Sequence, residues 1–306
     1  MALTLLQDLA VFAETQVPRV TINDSMTSTV RPRSSCSPGP QLPIDFDALE
    51  FLAHGTSGAV YAIDKDWVLK ESWELDRGIV ERQALGRLGS HHNIIGYFGE
   101  AAPNSIILER GIPLLSPDQI GHVSTQKKLA WIRDVAEGLL YIHQQGIIHA
   151  DVGCENIVIV DGQLKIIDFE GCRMDGKEAT AGYKWYNRKD DSVTLQSDIF
   201  AYGCVVYQIL TGKPTFHELT ESDDRSNLVR RRCAEHRFPD IQGLLLSDVM
   251  LRCWSGSFKS MTEVISAIDS TSTWRLSPPR LTSILWKWMG TCLRSKQDGT
   301  CSLSHN

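Results

Sequence analysis

The chain has 306 residues, enough for one large domain or two smaller ones. Its hydrophobic fraction of 42% and charged fraction of 22% are those of a globular chain, not a disordered or fibrous one. A formal net charge of -6 gives no polyanion-binding signal, so nucleic acid is not an expected partner.

The eight cysteines include no C-x-x-C pair, which argues against a zinc site or a disulfide framework. They fit a reducing, intracellular compartment, cytoplasmic or nuclear. The opening "MALTLLQDLAVFAETQV" lacks a basic stretch and contains Asp8 and Glu14, so it does not read as a signal peptide. No apolar run approaches the roughly 20 residues of a membrane span.

In chain order, residues 1–17 are expected to form a short amphipathic helix, and the Ser-, Thr- and Pro-rich residues 18–43 a linker, so that 1–44 is set apart from the domain beginning at 45. "ALEFLAHGTSGAVYAID" and "DWVLKES" predict β-strands around a glycine-rich turn. "LDRGIVERQALGRLG" predicts a helix with Val80, Ala84 and Leu88 on one face and Gly89 at its end. "IIGYFGEAAPNSIILERG" predicts two more strands. Beyond Gly111 the pattern turns helical. "STQKKLAWIRDVAEGLLYIHQQG" sets Leu129, Ile132, Val135, Leu139 and Ile142 at helical spacing, with Ser124 as N-cap and Gly146 as stop. "SDIFAYGCVVYQILTG" is apolar nearly all round and predicts a buried helix capped by Ser197 and closed by Gly212. The layout is α+β: a small β-rich lobe (45–110), a short connection, then a larger helical lobe (112–270). Residues 271–306 form a tail.

The most informative stretch is "GIIHADVGCENIVIVDGQLKIIDFEGC" (146–172). Asp161-Gly162 between "IVIV" and "LKIID" is a strong hairpin signal, because a type I′ turn needs two residues at positive φ. Folding there brings Asn156, before the first strand, to within about a residue of Asp168, after the second. Asp151 lies just upstream. Carboxylate and amide oxygens gathered in this way suit a hard cation such as Mg²⁺, with phosphates completing its shell.

These residues resemble the catalytic loop and metal-binding motif of the eukaryotic-type protein kinases, H-R-D-L-K-x-x-N followed by D-F-G. Here they read His149-Ala150-Asp151-Val152-Gly153-Cys154-Glu155-Asn156 and Asp168-Phe169-Glu170. "LAHGTSGAV" is similar to the family's glycine-rich loop, with Ala53, Gly55 and Gly58 at its glycine positions. Lys70 in "VLK" matches the strand-three lysine and Glu81 its partner. "SDIFAYG", "LTGKPTF" and "LRCW" match later landmarks, so the resemblance covers about residues 45–270.

The resemblance implies a bilobal kinase-like fold binding ATP and Mg²⁺. ATP would contact Ala53, Gly55, Gly58, Val60, Lys70, Glu109 and Gly111. Lys70, positioned by Glu81, would hold the α/β-phosphates, and Asn156 and Asp168 the metal. Asp151 would accept the proton of the attacking hydroxyl. Asp198 would accept hydrogen bonds from the catalytic-loop backbone, and His149 would be a packed structural residue. Leu85, Tyr97, His149 and Phe169 would stack between the lobes. Leu108 would sit behind the adenine pocket, with Glu109 to Gly111 as the hinge.

Several positions depart from the family. Ala53 replaces a loop glycine. Ala150 replaces an arginine that pairs with a phosphorylated activation loop. Gly153 replaces a lysine near the γ-phosphate, a loss of roughly 2–4 kcal/mol of transition-state stabilisation. Glu170 replaces the D-F-G glycine, at about 1–2 kcal/mol if its φ must be positive. It also adds a carboxylate that would either bind metal or repel nucleotide. "YNR" (186–188) stands at the A-P-E position, and Lys259 stands where an arginine would pair with it. These two changes look mutually compensated.

Glu155-Asn156 and Thr180 resemble serine/threonine members, so the expected acceptor is a protein Ser/Thr hydroxyl. A pseudokinase binding module and a small-molecule kinase are the alternatives. A monomer is expected. "RLTSILWKWMGTCLRSK" (280–296) would either pack on the large lobe or, as an amphipathic segment, contact a membrane surface or a partner. Cys172 is expected to be a buried, inert thiol.

Overall fold

Two sheets and six helices make up the described part of the chain, which in this computed structural model comprises residues 44–55, 57–114, 120–181 and 193–271. The expected N-terminal helix and linker, the "YNR" segment and the stretch 280–296 lie outside the described residues. The chain divides into two units, Met1–Ile268 and Asp269–Asn306, and both sheets belong to the first.

Five strands form an antiparallel sheet in the order β1-β2-β3-β5-β4: β1 Glu50–His54, β2 Gly58–Ala62, β3 Trp67–Ser72, β4 Tyr97–Ala102 and β5 Ser105–Glu109. Interior strand β5 is buried along Ser105–Leu108, as a strand covered on both faces must be. Between β3 and β4 runs helix α1, Leu75–Leu88. It buries Gly78, Glu81, Ala84, Leu85 and Leu88 and stops at Gly89, whose φ is 57°. Val80 is only half-buried, so the buried face is rotated from the expected one towards Glu81.

The second region is built on α2 (Thr125–Gln144) and α3 (Leu195–Thr211). Ser124 caps α2 by accepting a hydrogen bond from the Lys127 amide. Helix α3 is buried almost all round. Its cap is Thr194, not the expected Ser197. Ser197 sits in the first turn and reaches back to the Thr194 amide at 3.2 Å. Gly212 ends α3 in the left-handed conformation, φ 76°. Strands β6 (Ile112–Pro113), β7 (Ile157–Val160) and β8 (Gln163–Ile166) form the second sheet. The β7–β8 turn has Asp161 and Gly162 at φ 50° and 79°, as a type I′ hairpin requires. Helices α4 (Arg225–Ala234), α5 (Ser247–Ser255) and α6 (Met261–Ser270) complete the region.

The loop after α1 straps the two regions together. The Ile95 amide donates to Ile166 O at 3.1 Å, and the Ile166 amide to Asn93 O at 2.9 Å. The Asn93 amide group also donates to Leu164 O. One hydrophobic cluster runs from Val68 and Leu85 through Ile94, Ile132 and Phe169 to Trp254 and Phe258. The architecture is bilobal α+β, and this strap and shared core hold β3, α1 and the β7–β8 hairpin around one cleft.

Candidate active site

Strand register delivers the first cation to the cleft. Lys70 lies mid-way along β3, paired with Val60 on β2 and Ile106 on β5. Its ammonium is within 2.8 Å of Glu81 on α1 and 2.6 Å of Asp168 beyond β8. Burial alone would lower the Lys70 pKa. The carboxylates of Glu81, Asp168 and Glu170 more than reverse this and hold it far above the lysine range, so the side chain stays an ammonium. Burial pushes the Glu81 carboxyl upward, and the Lys70 charge opposes the shift. Glu81 also accepts the Phe169 amide at 3.3 Å, which ties α1 to the segment carrying Asp168.

The loop carrying Asp151 is shaped by one buried carboxylate. Asp198, in the first turn of α3, is fully buried. It accepts the amides of His149 and Ala150 at 2.9 and 3.1 Å and pairs with His143 Nε2 at 2.8 Å. This holds Ala150 at φ 70°, a strained conformation for alanine, and the chain turns there towards the cleft. The Asn156 amide group donates to Asp151 O at 2.8 Å and to Asp151 Oδ2 at 3.0 Å. Its nitrogen is thereby committed, and its amide oxygen is the atom left to act as a ligand. Burial raises the Asp151 carboxyl to about 6, against the opposing charge of His149. Across the hairpin, the Ile167 amide donates to Asn156 O at 3.0 Å, which puts Asn156 one residue from Asp168, as the turn chemistry predicts.

Asp168 has φ 69°, and Glu170 is not among the residues at positive φ. The expected strain at Glu170 is therefore absent, and the left-handed residue is the aspartate. His149 is a packed residue, with its ring 5.0 Å from that of Phe169 and its Nε2 2.9 Å from Ile167 O. Leu85 is buried and Tyr97 packs against the same core, paired with Leu108 across β4 and β5.

The β1–β2 turn closes through the Gly55 amide, which donates to Gly58 O at 2.8 Å. The two glycines serve different needs. A side chain at Gly58 would lie 2.2 Å from Glu71 O, so this glycine is required by β3 and not only by a ligand. At Gly55 the nearest atom is 4.0 Å away, leaving open space for a close backbone approach. Ala53 and Val60 pair across β1 and β2 beside this turn. Glu109 ends β5 with its side chain turned to the Gly96 amide at 3.1 Å and to the buried Lys165 ammonium at 2.5 Å. Gly111 packs so closely on Val158 that a methyl group there would sit 2.6 Å from it.

Sequence reasoning missed two participants. Lys165 anchors Glu109 from β8. Trp73 donates to Gly55 O at 3.3 Å, bracing the glycine-rich turn. Nothing in the sequence signalled the Lys165 or Trp73 contact. Glu170, expected to add a carboxylate beside the metal, enters the Lys70 cluster, its Oε2 3.8 Å from the ammonium. The cleft thus gathers the carboxylates of Glu81, Asp168 and Glu170 around one ammonium, with the Asp151–Asn156 pair brought close by the hairpin. That donor set fits a hard divalent cation such as Mg²⁺.

The family model for the protein kinase domain matches residues 52–282. The chain belongs to the protein kinase family. Among curated relatives of this kinase, a Wee1-like protein kinase of Arabidopsis thaliana is 32% identical over 167 residues, 50% of this chain and 32% of that protein. The MAPK/MAK/MRK overlapping kinase of Mus musculus is 29% identical over 175 residues, 52% of this chain and 42% of that protein. The mitogen-activated protein kinase kinase kinase 17 of Arabidopsis thaliana is 28% identical over 225 residues, 64% and 60% respectively. The kinase spans less than two thirds of the length of each. Among its described residues, no helix is long and apolar enough to cross a membrane. Cys172, beside the cleft, is buried, and burial raises its thiol to about 12, which leaves it unreactive.

Proposed function

We propose that this kinase is active and transfers the γ-phosphate of ATP to a Ser or Thr hydroxyl of a protein. The observation that supports this best is the joint engagement of Lys70 by Glu81 and Asp168, at 2.8 and 2.6 Å, beside an Asp151 already hydrogen-bonded to Asn156. A cleft without a catalytic task has no need to bury this many like charges together.

In this reading the Gly55 and Gly58 backbone covers the phosphates, and Val60 and the Glu109–Gly111 backbone border the adenine. Lys70 binds the α/β-phosphate oxygens, with Glu81 fixing its position. Asn156 and Asp168 hold Mg²⁺, which when bound neutralises charge on the transferring phosphate. Asp151 takes the proton from the acceptor hydroxyl as its oxygen bonds to the γ-phosphorus and the bond to the β-phosphate oxygen breaks, releasing ADP. A base poised near 6 is ionised at neutral pH and still able to accept a proton.

Gly153 supports a second reading, that of a binding module with little or no turnover. The space beside Gly153 is filled by the Glu155 carboxylate, 2.5 Å from where a side chain would begin. A carboxylate thus stands near the position of the missing lysine.

The two readings separate in one assay. Purified kinase with ATP and Mg²⁺ is expected to transfer γ-phosphate to itself or to a generic Ser/Thr peptide. Asp151→Asn is expected to slow transfer by about 10²–10⁴-fold while its melting temperature stays close to that of the wild type. Transfer that persists at the wild-type rate in Asp151→Asn would remove Asp151 from its role. A folded wild type with no transfer and no nucleotide-induced thermal shift would leave the binding module.

A further inference from the structure

Glu170 is 6% exposed, yet its Oε2 has no hydrogen-bond partner among the described residues. The cation that approaches it is Lys70, 3.8 Å from that oxygen and already held at 2.8 and 2.6 Å by Glu81 and Asp168. Ligand oxygens of Glu81, Asp168 and Glu170 lie within 4.8 Å of one another. Three carboxylates therefore face one ammonium in a buried place. Among the described residues the third has neither solvent nor a donor to satisfy it, an arrangement that leaves negative charge uncompensated. Hard divalent cations bind such clustered carboxylates, and their affinity rises with the number of charged ligands. A glycine at 170 would offer no ligand.

We propose that Glu170, with Asp168 and Glu81, forms a divalent-cation site that binds Mg²⁺ or Mn²⁺ before any nucleotide arrives. The surplus carboxylate then recruits metal and does not merely repel phosphate. Once bound, the cation supplies the charge that Glu170 lacks and leaves the cleft attractive to a nucleotide polyphosphate. The proposal shares with the kinase reading the role of Asp168 as a cation ligand, and it does not require turnover.

The test uses the full chain without nucleotide and Mn²⁺ as probe, following the loss of the free-ion electron paramagnetic resonance signal. Wild type is expected to take up one Mn²⁺ per chain at concentrations below about 1 mM, with excess Mg²⁺ displacing it. Glu170→Gln keeps the shape and removes the charge, and is expected to weaken uptake at least about tenfold. Glu170→Gly should do the same. Equal uptake by wild type and both variants, or none by the wild type, would overturn the proposal. Uptake that depends on Glu170 in a protein with no phosphotransfer would uphold the site and defeat the kinase activity. Phosphotransfer with nucleotide-free uptake indifferent to Glu170 would do the reverse.

Discussion

Two buried carboxylate centres stand within this kinase domain, and they are satisfied very differently. Asp198 accepts two backbone amides and an imidazole, and its oxygens are turned entirely to the protein. The centre around Lys70 collects Glu81, Asp168 and Glu170 on one ammonium and leaves Glu170 Oε2 without a donor among the described residues. A group whose hydrogen bonds are complete shapes the backbone. A group left incomplete in a buried cleft awaits a ligand. The contrast assigns structure to the first centre and chemistry to the second, and substitutions on each side should have opposite signs.

The largest effect is expected at Asp198. Asp198→Ala strips the donors of His149, Ala150 and His143 of their acceptor in a place closed to water, costing about 3–5 kcal/mol. Denaturant unfolding measures this directly. Asp198→Asn, which keeps one acceptor, should cost less, about 1–3 kcal/mol. A neutral outcome for Asp198→Ala would break the comparison at its structural end.

At the other centre the sign should invert. In chelator and without nucleotide, Glu170→Gln removes a buried charge with no donor among the described residues, and is expected to stabilise the fold by about 1–2 kcal/mol. With saturating Mn²⁺ the ranking should reverse, since only the wild type keeps the third carboxylate. Destabilisation in chelator would mean that the 3.8 Å approach to Lys70 is itself a stabilising pair.

Much of this was legible in the sequence, for identifiable reasons. Asp161-Gly162 set the β7–β8 register, and through it the closeness of Asn156 and Asp168, because few dipeptides tolerate two positive φ values in succession. Lys70 and Glu81 were legible as partners only through the family resemblance, since nothing local says that a strand lysine and a helix glutamate will meet. What stayed hidden depends on long-range placement. The two-residue strand Ile112–Pro113 exists only because β7 lies alongside it. Gly58 is required by a carbonyl on the neighbouring strand, and Glu109 turns to a lysine 56 residues further on. The α3 cap moved from Ser197 to Thr194 because the backbone is extended at Thr194 and already helical from Leu195.

Asp151 gives a smaller effect that sharpens the chemical end. Burial raises its carboxyl to about 6. The ionised form is the one able to accept a proton, so the rate should be level above that value and lost as pH falls through it. One unit below, the competent fraction is about a tenth. Rates at saturating ATP and Mg²⁺ between about pH 5 and 8 test this. A profile flat down to pH 5 would mean that Asp151 orients the hydroxyl without taking its proton.

The smallest expected effect lies next to Asp198 and asks how far the structural centre depends on its helix. Ser197 reaches back to the Thr194 amide at 3.2 Å and completes the first turn of α3, from which Asp198 projects. Ser197→Ala should cost about 1 kcal/mol, the usual worth of a capping interaction. If that turn only supports the helix, the loss appears in unfolding alone and phosphotransfer is unchanged. If it also aims Asp198, the His149–Ala150 backbone loosens, Asp151 loses its fixed place, and the rate falls together with stability. A drop in rate larger than the drop in stability would tie the two centres into one mechanical unit, with the catalytic loop between them.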